Sequence, residues 1–206
     1  MSDITVGILG FQGDIEEHVK AARHAMDRKG LKGIVETVKG STDIQRVDAL
    51  IIPGGESTVI GILANLNDVT KTLQKRAYED MPIMGTCAGL TMLAKKVHDR
   101  NVGEAAQTTL GLMDVTVERN AFGRQRESFE ADLDIPILGE RFRGIFIRAP
   151  TVIETSPGVS VLSKLESRTV AVQQGNVIGT CFHPELTEDL RIYEYFLDIT
   201  KKWKLS

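Results

Sequence analysis

The chain has 206 residues, of which 42% are hydrophobic and 26% are charged, and its net charge is −3. These values are typical of a globular domain large enough to bury a core, and we predict a single domain over residues 1–206. They disfavour a nucleic-acid partner, since no basic block is present, and a membrane protein, since no apolar run approaches about 18 residues. No signal peptide is predicted, so we expect a cytoplasmic protein whose two cysteines are reduced thiols.

The first half of the chain alternates short apolar runs with stretches of helical spacing. Asp14 is predicted to cap the first helix, because Glu17 follows three residues later and apolar residues then line one face. The predicted strands cover residues 4–11, 31–38, 49–52 and 82–84. The predicted helices cover residues 15–26, 60–65, 69–78 and 90–97. Strands that alternate with helices favour a parallel sheet covered on both faces.

The second half is richer in strands, which are predicted over residues 111–118, 144–147, 169–173 and 177–182, and a last helix is predicted over 187–203. The predicted fold class is therefore α/β, a three-layer α/β/α domain with a mostly parallel central sheet and a strand-rich second half. In such sheets ligands bind beyond the carboxyl ends of the strands. Four polar or glycine-containing segments fall at such ends, which predicts one shared pocket: 12–13, 53–55, 86–87 and 182–183.

The run GTCAGL, from Gly85 to Leu90, places a cysteine between small residues, after a strand and before a helix. This is the spacing of a nucleophile elbow, with sulfur in place of a hydroxyl. The helix N-terminus favours a thiolate at Cys87. The alternative is an inert cysteine in the core, which is the interpretation we favour for Cys181.

His183, Pro184 and Glu185 form a second candidate motif. Proline disfavours the helical region for the residue before it, so His183 is expected to be extended. If the chain stays extended through Pro184, Glu185 lies on the same face and orients the imidazole toward a nucleophile. The alternative is a surface turn ahead of the last helix. The other histidines, His18, His24 and His98, are expected to be solvated helix residues.

The run PGGEST, from Pro53 to Thr58, follows a strand, and its backbone N–H groups are suited to an anion or a developing oxyanion. It is not a Walker loop, and the early glycines miss the dinucleotide fingerprint, so no nucleotide cofactor is expected. No pair of cysteines or histidines has zinc-ligand spacing, so no metal is expected.

Together, GTCAGL, PGGEST and FHPEL resemble the motifs of the triad-type (class I) glutamine amidotransferases. The segments ERNAFGRQ, ESFEADL and FIRAP are similar to those of the glutaminase subunits of pyridoxal-phosphate synthases that work without deoxyxylulose phosphate. The resemblance extends over nearly the whole chain.

The resemblance implies a role for particular residues. Cys87 would be the nucleophile, His183 the acid/base and Glu185 its orienting partner, while the backbone N–H groups of Gly55 and Ala88 would form the oxyanion hole. Positions that hold glutamine in the family correspond here to Gly54, Gly55, Glu56, Ser57, Arg119, Ile147 and Arg148.

The resemblance also implies an activity and a partner. The chain would hydrolyse L-glutamine through a thioester on Cys87, without a cofactor, and deliver ammonia to a synthase subunit in a hetero-oligomer that makes pyridoxal phosphate from a pentose phosphate and a triose phosphate. Docking of that subunit would orient the Gly54–Gly55 peptide, with Gln12 taking part. The alternatives are a glutaminase for another synthase, a cysteine hydrolase, and a non-catalytic regulatory module.

Overall fold

The computed structural model describes residues 3–99, 103–104, 107–122, 128–139 and 141–206. Part of the ERNAFGRQ motif, residues 123–125, and Glu127 lie outside these ranges. The strands are β1 (Ile4–Leu9), β2 (Gly33–Val38), β3 (Ala49–Ile52), β4 (Ile83–Thr86), β5 (Ala94–Asp99), β6 (Gly103–Glu104), β7 (Met113–Arg119), β8 (Ser128–Leu133), β9 (Phe142–Ile147), β10 (Thr151–Thr155), β11 (Ser160–Leu165), β12 (Arg168–Gln174) and β13 (Val177–Thr180). The helices are α1 (Ile15–Arg28), α2 (Ser41–Arg46), α3 (Ser57–Leu66), α4 (Val69–Tyr78), α5 (Ala88–Leu93) and α6 (Arg191–Lys204).

The large sheet has its strands in the order β2, β1, β3, β4, β13, β12, β10, β7, β5 and β6, with β11 paired to β12. The first five strands in this order are parallel, and β12 and β10 continue antiparallel. The chain runs from β1 outward to β2 and then back past β1 to β3. Because parallel crossovers are right-handed, this reversal places α1 and α2 on opposite faces of the sheet. The predicted α/β class with a mostly parallel core is confirmed.

Burial explains why the parallel core could be predicted. Every residue of β3, β4 and β13 is buried, as expected for parallel strands that are covered on both faces. Such strands appear in the sequence as short continuous apolar runs. The core strands therefore hold their carboxyl ends in fixed positions, and these ends carry the predicted site.

Several local predictions were wrong. The helix predicted over 90–97 ends at Leu93, and the chain continues as strand β5, so His98 is a strand residue. The last helix begins at Arg191 rather than at residue 187. Asp14 stands at the start of α1 but makes no capping hydrogen bond through its side chain. His18 is fully buried instead of solvated, whereas His24 is exposed as predicted.

The short helix α2 and the strands β8, β10 and β11 had not been predicted. Among the strands that the structure describes, β8 pairs with β9 alone, in a separate two-stranded sheet. Within the described ranges, none of the helices has the length and apolar character needed to span a membrane.

Candidate active site

Cys87 lies in the turn between β4 and α5, with φ 50° and ψ −105°. This positive φ is unusual for a residue with a side chain, and such strain costs of order 1–3 kcal/mol and persists only where the surroundings enforce it. Here the backbone N–H of Cys87 donates to the carbonyl of Thr180 at 2.8 Å, and the Thr91 N–H donates to the Cys87 carbonyl at 3.2 Å. The turn therefore has the strained strand–turn–helix form of the predicted elbow.

The glycines beside Cys87 are required by close backbone approach. A Cβ at Gly89 would lie 2.0 Å from the carbonyl oxygen of Ile52 at the end of β3, and one at Gly85 would lie 2.6 Å from the Gly89 carbonyl group. Both distances are too short for any real Cβ. The small residues that surround the cysteine in the sequence are thus explained by the packing of α5 against β3 and β4.

His183 follows β13, the strand beside β4, and is 4% exposed. Its ring Nδ1 lies 2.6 Å from Oε1 of Glu185 and 3.3 Å from Oδ2 of Asp14. The predicted contact between His183 and Glu185 is present, but Pro184–Leu186 forms a 3-10 turn instead of the extended segment we expected. The turn brings the carboxylate back beneath the ring, and the ring stays available to Cys87.

The protonation of His183 is controlled by these partners. Burial alone lowers the pKa of His183, but the hydrogen bonds and charges of Cys87 and Glu185 outweigh burial and raise the pKa to about 10. Burial likewise raises the pKa of Glu185, yet the nearby His18 and His183 bring it below its usual value. The pair therefore consists of a carboxylate and an imidazole that holds its proton next to the sulfur.

The loop after β3 packs directly against this pair. A Cβ at Gly54 would lie 2.5 Å from Cε1 of His183, and Gly55 has φ 135°. Oε1 of Gln12, which follows β1, accepts the backbone N–H of Glu56 at 3.2 Å. Gln12 thus contacts the loop that we expected it to influence. Ala88 is the first residue of α5, so its N–H has no acceptor within the helix.

Glu56 and Arg119 form the polar side of the site. The Glu56 carboxylate caps α3 by accepting the Thr58 and Val59 N–H groups at 3.1 and 2.9 Å, and it pairs with Arg119 at 3.1 Å. Burial raises the pKa of Glu56, but these hydrogen bonds and Arg119 lower it overall. Arg119 also donates to Oε1 of Gln107 at 2.9 Å. The two charged side chains are held in place before any ligand arrives.

A cleft of about 650 Å³ joins these groups. Its lining includes nine of the predicted site residues: Gly55, Glu56, Ser57, Cys87, Ala88, Arg119, Ile147, Arg148 and His183. Gly54 and Glu185 lie against the His183 ring rather than in the lining. The Cys87 sulfur lies 3.9 Å from the carbonyl oxygen of Ile147, and Arg148 has φ 44°. All of the predicted site residues are thus brought to one place.

Sequence reasoning missed other residues of the cleft. Asp14 was assigned to a helix cap, but its carboxylate contacts His183 and lines the cleft. Asn120 and Ser128 also line the cleft. Oε1 of Gln107 accepts hydrogen bonds from the side chains of both Arg119 and Ser57. Asp14 could have been suspected because it follows Gln12-Gly13 at a strand end, and Asn120 and Ser128 because they lie in the segments ERNAFGRQ and ESFEADL. Nothing in the sequence singles out Gln107.

A cysteine elbow and a histidine–carboxylate pair at adjacent strand ends of an open α/β sheet are the arrangement of the class I glutamine amidotransferases. Comparison with known proteins identifies the family within this class. Residues 8–202 match the SNO glutamine amidotransferase family, and the chain belongs to that family.

Similar proteins support this assignment. The pyridoxal 5'-phosphate synthase subunit PdxT of Methanosarcina mazei is 47% identical over 94% of this chain and 96% of its own length. The protein of the same name from Nitrosopumilus maritimus is 42% identical over 97% and 98%. The crystal structure of a glutamine amidotransferase, 43% identical, matches 95% of this chain and 98% of its own with a TM-score of 0.83. A glutamine amidotransferase of Thermotoga maritima, 14% identical, shares the fold with a TM-score of 0.60.

Proposed function

We propose that this chain is the glutaminase subunit of a pyridoxal 5'-phosphate synthase, which hydrolyses L-glutamine and passes the ammonia to a separate synthase subunit. Membership of a glutamine amidotransferase family and the names of its relatives support the assignment. The observation that carries the chemistry is the contact of Cys87 with a His183 ring whose Nδ1 is bound to Glu185 at 2.6 Å.

The first half of the reaction forms a thioester. The Cys87 thiolate attacks the side-chain amide carbon of glutamine, and the carbonyl electrons move to the oxygen, which the N–H groups of Gly55 and Ala88 would stabilise. His183 then gives its proton to the amide nitrogen, the C–N bond breaks, and ammonia leaves. Each of the two donors would lower the barrier by about 3 kcal/mol.

The second half regenerates the enzyme. His183, now neutral, removes a proton from water as the water oxygen attacks the thioester carbon. The C–S bond breaks, glutamate leaves, and the thiolate and the protonated imidazole are restored. Glu185 stabilises the imidazolium and fixes the ring, so its loss would slow turnover while leaving glutamine binding intact. No step needs a cofactor.

The substrate would be held by its charged end. The Arg119 guanidinium is suited to the α-carboxylate and the Glu56 carboxylate to the α-ammonium group. Ser57, Ile147, Arg148 and the Gly54–Gly55 backbone complete the predicted binding set. With the α-carboxylate at Arg119 and the α-ammonium group at Glu56, the side-chain amide would extend toward Cys87, which lines the same cleft.

The partner would control the activity. Because the N–H of Gly55 belongs to a Gly–Gly peptide that packs on His183, docking of the synthase would orient this N–H as an oxyanion donor, with Gln12 as the contact on the other side. We further propose a cytoplasmic location, since both cysteines are free thiols.

Glutamate release, measured with and without the synthase subunit, tests this proposal together with glutamine-dependent formation of pyridoxal phosphate. We expect release to rise when the synthase is added. Equal rates would contradict partner activation. Glutamate release without pyridoxal phosphate would point to a different synthase, and failure of a glutamine-mimicking electrophile to label Cys87 would point to a regulatory module.

A further inference from the structure

A fully buried histidine lies behind the Glu185 carboxylate, outside the lining of the cleft. His18, in α1, has no exposed surface. Its Nδ1 lies 2.8 Å from the hydroxyl of Tyr193 in α6. Its Nε2 lies 3.1 Å from Oγ1 of Thr86, the residue before Cys87, and 3.4 Å from Oε2 of Glu185. One side chain therefore joins α1, α6 and the end of β4 to the carboxylate.

The two oxygens of Glu185 have different environments. Oε1 binds His183, whereas Oε2 is buried and has no hydrogen bond of good geometry from any residue that the structure describes. A buried carboxylate oxygen without a donor is costly. The Nε2 of His18 lies 3.4 Å from this oxygen, and a small rotation would convert the approach into a hydrogen bond.

The partners of His18 determine which of its ring nitrogens carries the proton. Burial lowers the pKa of His18, so the ring is neutral and carries a single N–H. Burial raises the pKa of Tyr193 well above its usual value, so its hydroxyl keeps its proton and can donate to Nδ1. The proton of His18 then resides on Nε2, between the oxygens of Thr86 and Glu185.

We propose that His18 is a positioning residue of the triad: its Nε2–H holds the Glu185 carboxylate in the orientation that binds Nδ1 of His183. The terminal torsion of a glutamate is broad, so a carboxylate anchored at one oxygen alone is free to turn. The second anchor fixes this torsion and, through Glu185, the ring of His183. His18 touches no substrate, and its expected effect on turnover rests on the proposed function.

Loss of His18 should also alter the pH dependence. The titratable groups that face Glu185 are His18 from α1, Tyr193 from α6, Asp14 from the segment before α1, and His183 beside it in the chain. Without the Nε2–H, the buried carboxylate takes up a proton more readily. The acid limb of the kcat/KM profile should then move to higher pH.

The test uses the His18→Phe variant in the complex with the synthase. We expect kcat for glutamate release to fall by about 10- to 100-fold with KM unchanged, the effect of losing a hydrogen bond to a charged group. His18→Gln, whose amide can donate to Glu185, should recover part of kcat. His24→Phe makes the same change at an exposed position of the same helix and should keep wild-type values.

A second measurement does not depend on activity. The Nδ1–H of His183, bound to Glu185 at 2.6 Å, should give a low-field proton NMR signal in the isolated chain, and His18→Phe should shift or broaden it. Tyr193→Phe, which removes only the donor to Nδ1 of His18, should change the signal in the same direction and reduce kcat about fivefold. If His18→Phe does not fold, this variant tests the positioning role of His18 in its place.

Variants that retain the wild-type signal, kcat and pH profile would overturn the proposed role of His18. A wild-type complex that releases no glutamate would instead contradict the proposed function, while the NMR comparison would still test the positioning of Glu185.

Discussion

The two halves of the fold contribute different parts of the cleft. The parallel half of the large sheet ends in Cys87, His183 and the Gly54–Gly55 loop. In the strand-rich second half, which we call the antiparallel half, Arg119 ends β7 of the large sheet and Ile147 ends β9 of the separate two-stranded sheet. The parallel strands that carry the chemistry are buried at every position. β7 and β9 are buried mainly at alternate positions, so one face stays open. Rigid strands thus hold the reacting groups, and half-exposed strands present the groups for glutamine.

This division predicts that substitutions in the two halves separate kcat from KM. A change in the parallel half should affect turnover with little effect on glutamine binding. A change in the antiparallel half should do the reverse.

The largest effect is expected for Cys87→Ala. Removal of the nucleophile should reduce kcat by about 10⁵-fold, while the glutamine dissociation constant changes little because the binding groups remain. Calorimetric titration with glutamine and single-turnover glutamate release measure the two quantities. Loss of glutamine binding in this variant would contradict the division between the halves.

Cys181 supplies a matched control for this prediction. It is fully buried beside Phe182, and burial raises the pKa of its thiol. Cys181→Ala should therefore retain turnover, and a thiol reagent at neutral pH should modify Cys87 alone.

The next largest effect is expected for Gly89→Ala, which tests the packing of the elbow. The added Cβ would lie 2.0 Å from the Ile52 carbonyl oxygen, so α5 must move. We expect kcat to fall about 100-fold and the free energy of unfolding to fall by about 1–3 kcal/mol. Gly158→Ala is the control, because its Cβ would meet only Gln174 at 3.8 Å; it should change stability by less than about 0.5 kcal/mol. Equal effects of the two substitutions would contradict this account.

The same contrast between halves explains what could be predicted from the sequence. β3 was predicted residue by residue, and the bounds of β4 were predicted to within two residues, because strands buried on both faces give short continuous apolar runs. Cys87, His183 and the Gly54–Gly55 loop follow such strands, so topology alone gathers them at one edge of the sheet. The contact of His183 with Glu185 was also predicted, although the 3-10 turn that makes it was not.

Outside the parallel strands, predictions were missed or wrong for different reasons. In β8 the apolar residues Phe129, Ala131 and Leu133 alternate with polar residues, so this strand carries the period-2 pattern of a half-buried strand and could have been predicted. The segment from Ala94 to Asp99 has apolar spacing compatible with a helix, but pairing with β7 makes it a strand. His18 was misassigned because its polar partners come from residues 68 and 175 positions away. No local pattern reports such contacts.

Arg119→Ala tests the binding role of the antiparallel half. Loss of a guanidinium bound to a carboxylate should raise KM for glutamine by about 10- to 100-fold, with a smaller change in kcat. Steady-state glutamate release by the complex measures both constants. Arg143→Ala removes an arginine of β9 that pairs with Glu130 and Asp132 on the surface, and it should leave both constants unchanged. A fall in kcat alone for Arg119→Ala would mean that Arg119 acts on the chemistry instead.

The smallest effect is a pH-dependent difference in stability that belongs to the parallel half. The pKa of Glu185 is raised by burial but lowered more by His18 and His183, so it lies below the ordinary value of 4.5 in the folded chain. A depressed pKa stabilises the fold above pH 4.5, and this stabilisation is lost as pH falls through the folded value. The melting temperatures of wild type and Glu185→Gln, measured by thermal unfolding, should therefore converge as the solution is acidified. Each kcal/mol of unfolding free energy that the wild type loses should lower its melting temperature by about 2–4 °C. Asp132→Asn, in the surface pair of the other half, should follow the wild type because solvent screens that pair. If Glu185→Gln instead runs parallel to the wild type, the Glu185 carboxylate is not held by the two histidines.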